Sequence, residues 1–329
     1  MLFIDLFRKL SYYSILPQRY IDKFNPKKLE LTQRKLLDHE LAKLKSIFQN
    51  KGWPFGTPLV ATSARFDKFC QMLEGVSEEQ AQLILTLSED FVEYDVAHIA
   101  LLKVCLTKLV DQYSQSRFSD ADRIFIAPIW PVDAKIDGPG HSGDALLYPT
   151  AQSLKRMPLF KEFEEKLILK RAPELIAKSI IETKIKRAFI IFVDDFSGTG
   201  STVYNCLDYW QPIFSKDGVY CEVCAVVPVI MRVAGEAIRK HGYALFTESV
   251  HDKGITDSKR IQDKENAFLL MTGMEDLLLD IDPYRFGYAK SEALLSLMST
   301  PDNTFPIFWY TDKVNGEIWP APFERNRIA

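Results

Sequence analysis

The chain has 329 residues, 47% of them hydrophobic and 26% charged, enough to bury a substantial core in one large or two ordinary domains. A net charge of −3 excludes a global pull toward nucleic acid or anionic membrane, and no basic and aromatic patch reaches the density of a nucleic-acid groove. Five scattered cysteines (Cys70, Cys105, Cys206, Cys221 and Cys224) form no disulfide framework, so a reducing cytoplasm is the expected location.

Residues 1–10 are apolar but broken by Asp5, Arg8 and Lys9, and no uninterrupted apolar stretch approaches membrane-spanning length. This segment reads as an amphipathic helix packing on the body or on a partner. Helical patterns dominate up to about residue 117. Over residues 29–49, Leu36, Leu37, Leu41, Leu44 and Ile47 share one side. Ser77 and Gln80 have the spacing of a capping box, and apolar periodicity follows through Leu83, Ile84 and Leu87. Another helix is expected over residues 94–113. Between these blocks lies the loop of residues 52–58, where Trp53 and Phe55 are expected to pack rather than cover a site.

The pattern changes after Asp122. Residues 124–130, Ile-Phe-Ile-Ala-Pro-Ile-Trp, read as a buried strand ended by Pro131. A loop rich in Gly and Pro follows over residues 137–144. Residues 154–183 read as helix interrupted near Pro158 and Pro173. A hydrophobic run, Phe189-Ile190-Ile191-Phe192-Val193, then ends in two adjacent carboxylates, Asp194 and Asp195. Only one bulky residue, Phe196, separates them from Ser197-Gly198-Thr199-Gly200-Ser201-Thr202. The run suits a strand buried on both faces, and its carboxyl end is where open α/β sheets bind ligands. Glycine permits backbone turns that aim N–H groups at a phosphate, and the helix expected over residues 202–214 would add its positive end. Residues 221–231 read as a strand demoted at Pro228, residues 233–241 as a helix and residues 243–248 as a strand. Alternation of strand and helix predicts a parallel sheet.

Further on, residues 288–295 read as the start of a helix, residues 300–304 as a turn, and residues 305–310 as strand-like. Cys221 and Cys224 have zinc or redox spacing. They lie in an expected strand without a second pair, so they read as buried thiols. There is no Walker A lysine beside Ser201 or Thr202, and Val203 stands where a dinucleotide fingerprint needs its third glycine. A purely structural alternative has Asp194 and Asp195 ending a strand and capping the next helix.

The stretch from Val193 through Thr202 resembles the signature of type I phosphoribosyltransferases. The resemblance implies an α/β fold with a parallel sheet flanked by helices, an N-terminal helical region (residues 1–118), a core (119–260) and a C-terminal hood (261–329). It implies that Asp194 and Asp195 lie at the ribose hydroxyls of phosphoribosyl pyrophosphate (PRPP), and that Ser197, Gly198, Thr199, Gly200, Ser201 and Thr202 hold its 5-phosphate. It further implies Mg2+ shared between the ligand and Asp194 or Asp195. The loop after residue 130 would bind pyrophosphate, with Lys135 as the candidate catalytic cation. His141 and His251 are weaker site candidates, and an acceptor is expected near Tyr288 or Trp309. Purine-salvage members carry Asp where this chain has Gly198, which argues against purine salvage.

Residues 286–288 and 300–309 also resemble phosphoribosyltransferase-like proteins of prokaryotic defence modules, including retrons. Two functions are therefore carried forward. One is a pentosyl transferase using PRPP. The other is a PRPP- or nucleotide-sensing or effector module working with a protein partner. The N-terminal helices are candidate surfaces for that partner or for a second copy of the chain.

Overall fold

The computed structural model describes residues 34–55, 63–94, 97–113, 115–134, 142–278, 280–311, 313–314 and 317–325. The expected helix at residues 1–10 lies outside them. So do Lys135, His141 and most of the glycine-rich loop.

The elements run α1 (Asp38–Lys51), α2 (Ser63–Glu74), α3 (Glu78–Asp90), β1 (Val92–Glu93), α4 (Ala97–Gln112), α5 (Gln115–Asp120), β2 (Arg123–Pro128) and α6 (Asp144–Lys155). After a 3-10 segment, Pro158–Lys166, come β3 (Leu167–Leu169), α7 (Pro173–Thr183), β4 (Arg187–Val193), β5 (Phe196–Ser197) and α8 (Ser201–Phe214). Then follow β6 (Tyr220–Val226), β7 (Val229–Met231), α9 (Arg232–Lys240), β8 (Ala244–Phe246), β9 (Ser249–His251), α10 (Lys264–Glu275), β10 (Leu295–Ser296), β11 (Lys313–Val314) and β12 (Glu317–Ile318).

The main sheet is parallel throughout, in the order β3-β2-β4-β6-β8. Its central strand β4 is buried from Ala188 to Val193, which its continuous hydrophobic run requires. Alternate residues serve opposite faces. Ile124, Ile126, Phe189, Ile191 and Val193 meet α4 and α6 on one side. Phe125, Ala127, Ile190 and Phe192 meet α7 and α8 on the other. The chain leaves β2 toward β3 and leaves β4 toward β6, so the direction of winding reverses between β2 and β4. A crevice opens at the carboxyl ends of such a pair.

Three strands then break together. β4 resumes as β5 after Asp194 and Asp195, β6 as β7 after Val227 and Pro228, and β8 as β9 after Thr247 and Glu248. The resumed strands form a second parallel sheet, β5-β7-β9. Asp194 N–H donates to Val226 O (3.2 Å), Val227 N–H to Phe246 O (3.0 Å) and Ser249 N–H to Pro228 O (2.9 Å). Pro228 has no N–H to lose, so it fits a position off the ladder.

A separate core joins α1, α2 and α3 to the C-terminal segment. Phe48, Phe69 and Phe91 pack there with Phe308, Trp319 and Phe323. Trp53 is 6% exposed in the same core, so it packs as expected. The Ser77 and Gln80 capping box is present, with reciprocal bonds of 3.2 and 3.0 Å. β1 and β10 pair in parallel across this region.

Some elements differ from the sequence reading. The stretch of residues 154–183 holds an edge strand, β3, which the β2 register draws out of the expected helix. Residues 288–290 form one 3-10 turn and Leu295–Ser296 a strand, because positive φ at Ala289, Lys290 and Glu292 stops a helix. Residues 306–308 are a 3-10 turn rather than a strand, since Pro306 sits at its start. All five cysteines are free, and Cys221 and Cys224 are buried in β6.

Candidate functional site

A cavity of about 230 Å³ opens at the carboxyl end of β4, one of the two strands between which the winding reverses. Asp194, Phe196 and residues 197–202 form one wall; Tyr288, Asp302 and Asn303 form the other. Asp195 is outside this lining. Among the described residues the lining contains no lysine or arginine, and the groups it offers an anion are amides and hydroxyls.

The strand break sets the acids. Asp194 is 9% exposed, and its Oδ1 accepts from Ser142 Oγ (2.7 Å) and from the Asp195 N–H (3.0 Å). Burial pushes the Asp194 carboxyl well above the usual range, and the Asp195 charge adds to the shift. Burial also raises Asp195; bonds from Ser142 and Asp194, and the His98 imidazole, pull the other way. The pair therefore holds protons more tightly than free carboxylates do. A cation brought to it would favour the ionised form. Ser142 reaches the pair because Gly143 lets its segment return over the sheet: a Cβ there would stand 2.6 Å from Val193 O.

The loop after the acids is shaped by two glycines for different reasons. Gly200 has φ 82° and ψ −12° at the start of α8, a left-handed conformation that favours glycine. A Cβ there would also lie 2.9 Å from Ala234 O. Gly198 does not have positive φ. It is glycine for lack of space: a Cβ would lie 2.1 Å from Asn303 Nδ2 and 2.3 Å from its Cγ. Ser201 N–H and Ser201 Oγ both meet Thr199 Oγ1, at 3.3 and 2.8 Å. The first turn of α8 still presents N–H groups with no carbonyl one turn earlier, and these carry partial positive charge into the cavity.

The opposite wall is anchored from the second core. Glu275, 0% exposed, accepts from Phe286 N–H with both oxygens (3.0 and 3.2 Å). Burial pushes its carboxyl up to about 8. Next to Phe286, Gly287 has φ 76°, and the Asn303 carbonyl oxygen lies 1.8 Å from where its Cβ would be. Tyr288 N–H donates to Asp302 O (2.7 Å), and Asn303 Nδ2 donates to Tyr288 O (3.3 Å). Arg325 pairs with Asp302 at 3.2 Å.

Of the candidates read from sequence, Asp194, the six loop residues and Tyr288 converge on one cavity. Trp309 does not reach it. It is 3% exposed, and its indole N–H holds Thr304 O at 2.8 Å. His251 meets Tyr94 Oη at 2.5 Å and Ser249 Oγ at 3.2 Å, outside the lining. Sequence reasoning gave no role to Ser142, Asp302 or Asn303. Ser142 could have been suspected as a hydroxyl in the loop after β2. The turn read over residues 300–304 marks the segment of the other two, but their place at the cavity depends on the fold of the C-terminal segment.

Among the described residues no group of three or more His, Cys, Asp or Glu side chains could hold a metal ion. Two adjacent carboxylates still suit Mg2+, which takes oxygen ligands and commonly completes its shell with phosphates and water. No helix of the described residues is long and apolar enough to cross a membrane. The PRTase-CE family model matches residues 99–325, which include both sheets, the acid pair, the loop and the facing wall. No curated protein matches the chain.

Proposed function

Because the chain belongs to the PRTase-CE family, a phosphoribosyltransferase-type family, we propose that the cavity binds PRPP or a related ribose 5-phosphate and that the protein transfers the ribosyl group with loss of pyrophosphate. One observation carries this reading. A loop of glycines and hydroxyls opens a 14-residue helix directly beside a buried acid, Asp194, and a half-buried one, Asp195, at the carboxyl end of the central strand β4.

In this reading residues 197–202 hold the 5-phosphate. Asp194 and Asp195 accept from the ribose hydroxyls and stabilise positive charge as it grows at the anomeric carbon. The anomeric C–O bond breaks and its electron pair leaves with pyrophosphate. The acceptor's lone pair forms the new bond, and the acceptor's proton passes to solvent. Bound Mg2+ would neutralise charge on the leaving pyrophosphate, with Asp194 or Asp195 among its oxygen ligands. Lys135 belongs to the proposal as a cation for the pyrophosphate. The division at about residues 118 and 260 into helical region, core and hood is part of the same reading.

The chemistry of position 198 supports a second reading. Here a carboxamide from Asn303 fills the space that a side chain on the loop would take, and an amide cannot accept a proton from an acceptor. A PRPP- or nucleotide-sensing module, or a defence effector restrained by a protein partner, would need no such base. Calorimetry with PRPP and magnesium tests binding, and pyrophosphate release tests turnover. Binding with release that Asp195→Asn abolishes supports transfer. Binding without release supports sensing, and absence of binding overturns both.

A further inference from the structure

The carboxamide of Asn303 lies on the phosphate loop although it comes from the opposite wall. A Cβ on Gly198 would fall 2.1, 2.3 and 2.8 Å from its Nδ2, Cγ and Oδ1. The backbone of Gly198 is not in the left-handed region, so the glycine serves this approach and not a turn. Asn303 is also fixed from behind. Its carbonyl oxygen accepts from Ser291 Oγ (2.7 Å) and Ala293 N–H (3.1 Å), and it rests on Gly287. Two glycines on two walls thus make room for one residue.

We propose that Asn303 is a phosphate ligand: its side-chain N–H closes the loop over the anion, adding a donor that the loop itself does not carry. The inference rests on the reading of residues 197–202 as a phosphate site. The donor is available at little cost, since its acceptor Tyr288 O stands at 3.3 Å, the long end of the hydrogen-bond range. A phosphate oxygen is the stronger acceptor, and charge-assisted bonds are shorter and about twice as strong. Neighbouring Asp302 has its carboxylate paired to Arg325, which limits its repulsion of the anion. The ligand class that follows is a phosphate ester whose phosphate is enclosed by both walls. The hood then responds to the ester end as well as to the acceptor.

The test is equilibrium titration of the full chain with ribose 5-phosphate and, separately, with inorganic phosphate. Asn303→Ala should weaken both about tenfold, or about 1.4 kcal/mol. Gly198→Ala keeps the amide but displaces it, and should weaken both as well. In the Asn303→Ala background the same Gly198→Ala change has space and should cost almost nothing further. Should Asn303→Ala fail to fold, Gly198→Ala alone decides. Wild-type affinity in Asn303→Ala, or additive losses in the double variant, overturns the proposal while leaving the cavity's reading intact. A loss confined to ribose 5-phosphate overturns the assignment to phosphate. If wild type binds neither ligand, the reading of the cavity fails and this inference fails with it.

Discussion

Glu275→Gln should change how stability depends on pH, because the buried carboxyl holds the wall that faces the loop of residues 197–202. In the folded protein its pKa is pushed from 4.5 to about 8, chiefly by burial; the Phe286 N–H bond and Arg285 pull against the shift, and Asp276 adds to it. The folded state therefore binds the proton more tightly than the unfolded chain. The resulting stabilisation is full below the unfolded value of 4.5 and is lost as pH rises through about 8. At about 1.4 kcal/mol per pK unit, the whole effect is on the order of a few kcal/mol. Gln cannot ionise. Its carbonyl still accepts from Phe286 N–H, but its amide must find an acceptor, at a cost of about 1 kcal/mol. Urea denaturation at pH 5, 7 and 9 should show wild type losing stability across the series. Glu275→Gln should be less stable at pH 5, flatter, and more stable at pH 9. Parallel curves for the two proteins would refute the reasoning.

Gly200→Ala should destabilise by about 2 kcal/mol, from left-handed backbone and the approach to Ala234 O, and should cost ribose 5-phosphate affinity; wild-type denaturation would show that the loop relaxes freely. Ribose 5-phosphate binding in magnesium should strengthen as pH rises, because ligation needs the ionised form of an acid pair whose carboxyls both titrate high. Asp195→Asn removes the charge that raises Asp194, so the remaining pH dependence should move to lower pH in calorimetric titrations; an unmoved profile would show that the acids do not titrate together.

The sequence made the signature strand, its acids and its loop legible for one reason. A seven-residue strand buried on both faces must be hydrophobic throughout, so the first polar pair after it stands out. Shorter elements leave no such mark. β3 has three residues within a stretch that also carries helical spacing, and only pairing with β2 makes it a strand. The C-terminal turns depend on positive φ at Ala289, Lys290 and Glu292, residue types that rarely announce it. Glycine at 198 was visible, but its cause was not. That cause is a side chain from a distant segment, placed by a core that α1–α3 share with residues 255–323.

The strand break explains why the acids stand where they do. Before it, Val193 pairs with Val226; after it, Phe196 pairs with Val229. The offset is 33 residues in both cases (226 − 193 and 229 − 196). Between the next strands Val226 pairs with Phe246 and Val229 with Ser249, an offset of 20 on either side (246 − 226 and 249 − 229). Each strand thus omits the same two residues, and the register survives. A break of one residue in any single strand would turn its continuation inside out. Pro228 suits the break in β6, and Asp194 and Asp195 occupy the equivalent positions after β4. Asp194 N–H keeps one bond to the next strand, at Val226 O, while its side chain lines the cavity, and the sheet resumes beyond it at Phe196, which lines the same cavity. The acid pair is therefore positioned by its neighbours as much as by its own strand. Shortening the Val227-Pro228 step by one residue should disable the site without touching either acid, and retained ribose 5-phosphate binding in that deletion would show that the concerted break is incidental.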